Sequence, residues 1–273
     1  MTERPVKIIA LTGKGGVGKT SLSAAIVREL TVQHPDARIL AIDADPAVGL
    51  STALGVEVHE TLDEIRQRVA QDVSGKLKNT QDILAEARFR LFEAMEEENG
   101  FAFLAIGRPE AAGCYCAINT YLKQVISLLI ESFDYIVIDG EAGIEQINRR
   151  VMEKVTHLIC VSDQSRKGLQ IVGTIREVAE KMVLFDQIGL IVNRAPHPES
   201  LGSFEEGTRI EGIPLCAVIG QDDSMTENDI EGRSIFALKE DAAILQYLDG
   251  LMPAEQFVTL FSEALKMSVL EGD

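Results

Sequence analysis

Apolar positions along the chain fall into two patterns. Short, nearly continuous runs occur at Val6–Leu11, Arg38–Ile42, Ala102–Ala105, Tyr135–Ile138, His157–Val161, Gln187–Val192 and Leu215–Ile219. Such runs read as strands covered on both faces, because a strand with one wet face alternates apolar and polar residues instead. Between them lie stretches whose apolar residues recur at helical spacing, notably Ser21–Leu30, Tyr121–Ser132, Leu169–Met182 and Ala254–Met267. This strand–helix alternation predicts an α/β fold with a doubly wound, mainly parallel sheet flanked by helices. A chain of 273 residues with no internal repeat or low-complexity linker is expected to form one domain over residues 1–273. Residues 59–100 break the alternation. They are polar and helix-prone and include Glu96-Glu97-Glu98, so a helical insertion is expected there, either as a solvated pair or as a lid or partner surface.

The turn between the first strand and the first helix carries the strongest chemical signal. Gly13-Lys14-Gly15-Gly16-Val17-Gly18-Lys19-Thr20 fits G-x-x-x-x-G-K-[ST], a loop whose backbone N–H groups cradle phosphate at a helix N-terminus. Gly13, Gly15, Gly16, Val17, Gly18, Lys19, Thr20 and Ser21 are the expected nucleotide contacts. Lys19 is placed to reach the β- and γ-phosphates of ATP, and the Thr20 hydroxyl to ligate Mg²⁺. In an open parallel sheet such a ligand sits beyond the carboxyl ends of the strands. Candidate acids stand at other strand ends, in Asp43-Ala44-Asp45-Pro46 and at Asp139. Carboxylates there can position an attacking water or hold Mg²⁺ through water, although Asp also ends strands for local turn reasons. Asn193 closes another strand; an amide there can read an adenine edge or serve the turn before Pro196.

Lys14 adds a second lysine to the loop. The string K-G-G-x-G-K-T resembles the deviant Walker A family of P-loop ATPases, which includes the nitrogenase iron protein and the ParA and MinD ATPases. The resemblance implies ATP hydrolysis to ADP and phosphate in a homodimer, with Lys14 reaching the partner's nucleotide. It further implies that Asp45 orients water, that Asp139 and Gly140-Glu141-Ala142-Gly143 form the Walker B and switch II elements, and that Asn193 recognises the base.

Composition narrows partners and compartment. The formal net charge is −17, which disfavours unaided binding to nucleic acid or an anionic membrane, and neither is expected as a partner. No apolar run approaches a membrane span, and the charged N-terminus is unlike a signal peptide, so a cytoplasmic protein with reduced thiols is expected. Of its four cysteines, Cys160 and Cys216 lie singly in apolar runs and read as core thiols. Cys114 and Cys116 form a close pair. They read either as two thiols in a loop or as half of a four-sulfur site completed across a two-fold axis.

With G-R-P-E-A-A-G-C-Y-C-A-I-N at 107–119 and D-G-E-A-G-I-E at 139–145, the chain resembles the nickel-insertion accessory ATPases of carbon monoxide dehydrogenase, the CooC type. That resemblance implies Ni²⁺, with Zn²⁺ possible in the same site, bound between subunits by Cys114 and Cys116. The client would be a Ni–Fe–S enzyme such as carbon monoxide dehydrogenase. Two other roles stay open at this level: electron transfer through a subunit-bridging iron–sulfur cluster, and positioning of the ParA or MinD kind.

Overall fold

The computed structural model describes residues 5–45, 47–75, 80–107, 126–127, 129–140, 154–198, 208–242, 244–246 and 248. Nine strands form the sheet: β1 Lys7–Gly13, β2 Ile39–Asp43, β3 Glu96–Glu98, β4 Phe101–Ala105, β5 Tyr135–Asp139, β6 Lys154–Ser162, β7 Leu184–Ala195, β8 Arg209–Ile210 and β9 Ile213–Gly220. Their order is β3-β4-β2-β5-β1-β6-β7-β9-β8. The central pairings are all parallel, and only the short edge strands β3 and β8 run antiparallel. All seven strands expected from the apolar runs are present. Among the described residues the helices with defined bounds are α1 Lys19–Gln33, α2 Gly49–Leu54, α3 Leu62–Gly75, α4 Thr80–Glu93, α5 Arg166–Met182 and α6 Asp223–Ile230.

Both sheet faces are covered, which is why the strands lack polar alternation. Leu11, Ala41, Phe103, Val137, Ile159 and Ile191 pack on one face with α1 and α2. Their chain neighbours Ala10, Leu40, Ile42, Leu104, Ile138 and Leu158 face the other way, toward Leu62 and Ile65 of α3 and Leu91 of α4. Cys160 is buried, and Cys216 packs beside the α1 face. Burial pushes both thiols up to about 12, so at neutral pH they are protonated and pack as small apolar groups.

The 59–100 segment contains α3 and α4, but its acidic triplet is extended rather than helical. Glu96–Glu98 pairs with β4 through a two-residue turn in which Asn99 has φ 50° and Gly100 φ 83°. Asn-Gly is the sequence that favours this turn. The glutamates lie on the outermost strand, where charge discourages further strand pairing. The stretch Ala254–Met267 lies outside the described residues, as does half of Tyr121–Ser132.

The topology places the chemistry. β1 lies between β5 and β6, so the chain after β1 emerges where connections diverge to opposite sides of the sheet. It leaves so close to β6 that a Cβ on Gly13, whose φ is 154°, would stand 2.1 Å from the Val161 carbonyl oxygen. Gly13→Ala is expected to cost about 2–4 kcal/mol, combining overpacking with backbone strain. Urea unfolding monitored by circular dichroism checks this; a loss under about 0.5 kcal/mol is inconsistent with so tight an approach.

Candidate nucleotide-binding site

The loop after β1 turns through left-handed glycines to begin α1, and Gly18 at the helix N-cap has φ 85°. Lys19 is buried, with Nζ donating to the carbonyls of Gly13 at 3.3 Å and Lys14 at 3.2 Å. Its ammonium thus lies along its own loop. From the β7 side, Asn193 Nδ2 donates to the Val17 carbonyl at 2.9 Å and Arg194 Nη1 to the Gly16 carbonyl at 3.3 Å. Asn193 is buried, and this bond braces the loop directly. Ser21, in the first turn of α1, donates to Asp229 of α6 at 3.4 Å.

Two acids face this loop from adjacent strands. Asp43 and Asp139 are in register as neighbours across β2 and β5, and both are buried. Ser23 donates to Asp139 at 3.0 Å, and the Thr20 hydroxyl also bonds to it. Asp43 accepts backbone N–H groups from Asp45 at 3.0 Å and Leu50 at 2.8 Å, which shapes the turn after β2. Asp45 accepts the Ala47 N–H at 2.8 Å, so its carboxylate also serves that turn. Desolvation, and then the charge of Asp139, push Asp43 up to about 7. Desolvation likewise raises Asp139 to about 6, against the hydrogen bonds from Thr20 and Ser23 and the charge of Lys19. Two crowded carboxyls with too little positive charge suit a hard divalent cation with oxygen ligands, so the residues present fit Mg²⁺.

Lys14 takes a different direction from Lys19. Its Nζ pairs with Asp163 Oδ2 at 3.1 Å at the loop rim, with its side chain 37% exposed. Burial works against ionisation of Asp163, but hydrogen bonds from Ser165 and Lys14 outweigh it and hold the carboxyl below its ordinary value. Sequence reasoning passed over Asp163, Ser23, Arg194 and Asp229. Only Arg194 carried a local signal, as a cation beside a candidate site residue; the others are recognisable only once distant strand ends meet. Cys114, Cys116 and residues 141–143 lie outside the described residues. Among the described residues no group of three or more His, Cys, Asp or Glu is arranged to hold a metal ion. No helix among them is long and apolar enough to cross a membrane.

Residues 8–235 match the model of the CobQ/CobB/MinD/ParA nucleotide-binding domain. The chain belongs to this family. An uncharacterized ATP-binding protein of Methanocaldococcus jannaschii is 32% identical over 246 residues, covering 89% of this chain and 96% of the relative. The carbon monoxide dehydrogenase accessory protein CooC of Rhodospirillum rubrum is 28% identical, covering 74% of this chain and 85% of the relative. The septum site-determining protein MinD of Pyrococcus horikoshii, solved with Mg-ADP, has a similar fold with a TM-score of 0.59 and 24% identity, covering 98% of this chain and all of that one. The nine-stranded, mostly parallel sheet with flanking helices is thus the MinD/ParA type of P-loop fold.

In this CobQ/CobB/MinD/ParA domain the acid pair makes stability depend on pH. Both carboxyls have raised folded values, so the native state binds protons more tightly than the unfolded chain. Each therefore costs stability as pH climbs from the ordinary value of 3.8, in full above about 6 for Asp139 and about 7 for Asp43. Asp139→Asn removes one such group and relaxes the other. The melting temperature of the variant, without nucleotide or Mg²⁺, should gain on wild type between about pH 4 and about pH 7 and hold a constant lead above that. His157, which burial pulls down to about 4, titrates in both proteins and drops out of the difference. A gap between variant and wild type that stays constant with pH contradicts the raised acids.

Proposed function

We propose that this ATPase-family protein is an ATP-dependent homodimeric nickel metallochaperone that assists maturation of a Ni–Fe–S enzyme such as carbon monoxide dehydrogenase. The observation that carries the ATP-dependent, dimeric part of the reading is the division of labour between the two loop lysines. Lys19 is buried against the Gly13 and Lys14 carbonyls, inside its own loop. Lys14 lies at the rim, held by one partly exposed ion pair to Asp163. Such a pair is worth little, so Lys14 is readily transferred to a competing anion on a second subunit.

Within each subunit the loop N–H groups and Lys19 bind the β- and γ-phosphates of ATP. Thr20, Asp43 and Asp139 hold Mg²⁺, which offsets phosphate charge when bound. Asp45 orients the water that attacks the γ-phosphorus; the bond to the β-phosphate oxygen breaks, leaving ADP and phosphate. Lys14 completes the opposite site, so closure of the dimer and hydrolysis are linked. The nickel cargo is bound by Cys114 and Cys116 from both subunits. Support for it comes from the string at 107–119 and from the 28% identity to an accessory protein of carbon monoxide dehydrogenase.

Mass measurement by light scattering tests the nucleotide half. Wild type with ATP and Mg²⁺ is expected to shift to twice its monomer mass. Lys19→Ala should abolish that shift, and Lys14→Ala should lower hydrolysis by at least about a hundredfold, the scale of losing one charge-stabilising contact. Unchanged dimerisation in Lys19→Ala counts against the proposal. ATP-dependent binding to DNA or liposomes without any metal would replace it with a positioning role.

A further inference from the structure

Two consecutive residues at the end of β7 hold two consecutive carbonyls of the phosphate loop. Asn193 Nδ2 reaches the Val17 carbonyl at 2.9 Å, and Arg194 Nη1 the Gly16 carbonyl at 3.3 Å. In a trans peptide the carbonyl and the following N–H point in opposite directions. Drawing these carbonyls toward β7 therefore turns the N–H groups of Val17 and Gly18 away from β7, toward the anion side of the loop. The approach is close. A Cβ on Gly18 would meet Asn193 Nδ2 at 2.6 Å and Arg194 Nε at 3.1 Å.

The position of Arg194 comes from an irregularity in the sheet. The register between β7 and β9 shifts between Val192 and Ala195, and Arg194 sits there with φ 54°. Bulges at sheet ends re-aim side chains, and arginine rarely adopts a left-handed backbone. The guanidinium also lies beside α6, with Arg194 Nη2 3.7 Å from Asp229 Oδ2 in an exposed ion pair. That same oxygen accepts Ser21 Oγ at 3.4 Å. One arginine thus connects the loop, α6 and, through Asp229, the first turn of α1.

We propose that Arg194 is a positioning residue for nucleotide phosphates. It presets the loop amides through the Gly16 carbonyl, and Asp229 fixes its orientation. The inference rests on the nucleotide reading of the loop. It explains why a strained backbone is retained where glycine would be relaxed, since strain of this kind persists where the surrounding structure uses it.

Arg194→Gly separates strain from binding because it relieves the backbone and removes the guanidinium together. Calorimetric titration with Mg·ADP is run on wild type, Arg194→Gly, Asp229→Asn, the double variant and Lys19→Ala, beside melting temperatures without nucleotide. Arg194→Gly is expected to melt at or above wild type yet bind Mg·ADP about tenfold more weakly, the loss of one charge-assisted hydrogen bond. The double variant should bind no worse than Arg194→Gly alone. Affinity within twofold of wild type overturns the proposal. So does a melting temperature that falls together with affinity, which would make Arg194 a structural strut. Full additivity of the two substitutions overturns the orienting role of Asp229. Wild type that fails to bind Mg·ADP, like Lys19→Ala, overturns the nucleotide reading and this inference with it.

Discussion

Asp43 and Asp139 stand side by side at the ends of neighbouring parallel strands, both buried and both resisting ionisation. Two carboxyls in that arrangement destabilise a folded protein unless something cationic is brought to them. Much of the surrounding structure is arranged about that deficit. Thr20 and Ser23 donate to Asp139, the backbone of Asp45 and Leu50 donates to Asp43, and Lys19 lies close enough to be felt by Asp139. The arrangement fits a ligand of opposite charge on each side: a divalent cation suits the acids, and phosphate suits the loop that faces them.

The sheet makes this arrangement unavoidable. Parallel strands buried on both faces present all their carboxyl ends on one edge, and the central position of β1 puts its loop between β5 and β6. β2 and β5 then contribute the acids, β6 leads to Asp163, and β7 delivers Asn193 and Arg194. Coupling between subunits, as proposed, depends on the same edge, because Lys14 shares the loop that binds the phosphates.

How much of this was legible depended on the range of the interactions. The strands showed as uninterrupted apolar runs because their burial leaves a local imprint, and the phosphate loop showed because its geometry demands glycines in sequence. Glu96–Glu98 was less clear: three acids favour a helix or a solvated turn, and only the following Asn99-Gly100 signals the hairpin. Asp163 and Asp229 carried no local mark, since each matters through a partner well over a hundred residues away. Asn193 was visible as a candidate, yet its bond to the Val17 carbonyl belongs to the packing of β7 against the loop. Arg194 was passed over because its effect depends on a bulge, and a register shift is a property of paired strands rather than of one segment.

The central claim is that nucleotide-driven closure builds a shared thiolate site for nickel. The most direct measurement is metal content with mass, by size-exclusion chromatography coupled to elemental analysis. Anaerobic protein would be run with Ni²⁺ or Zn²⁺, with and without nucleotide, beside the Cys114→Ser/Cys116→Ser double variant. The account predicts one metal per dimer in wild type and none in the variant. Metal binding that survives loss of both cysteines, or an iron–sulfur cluster in freshly isolated protein, would contradict it.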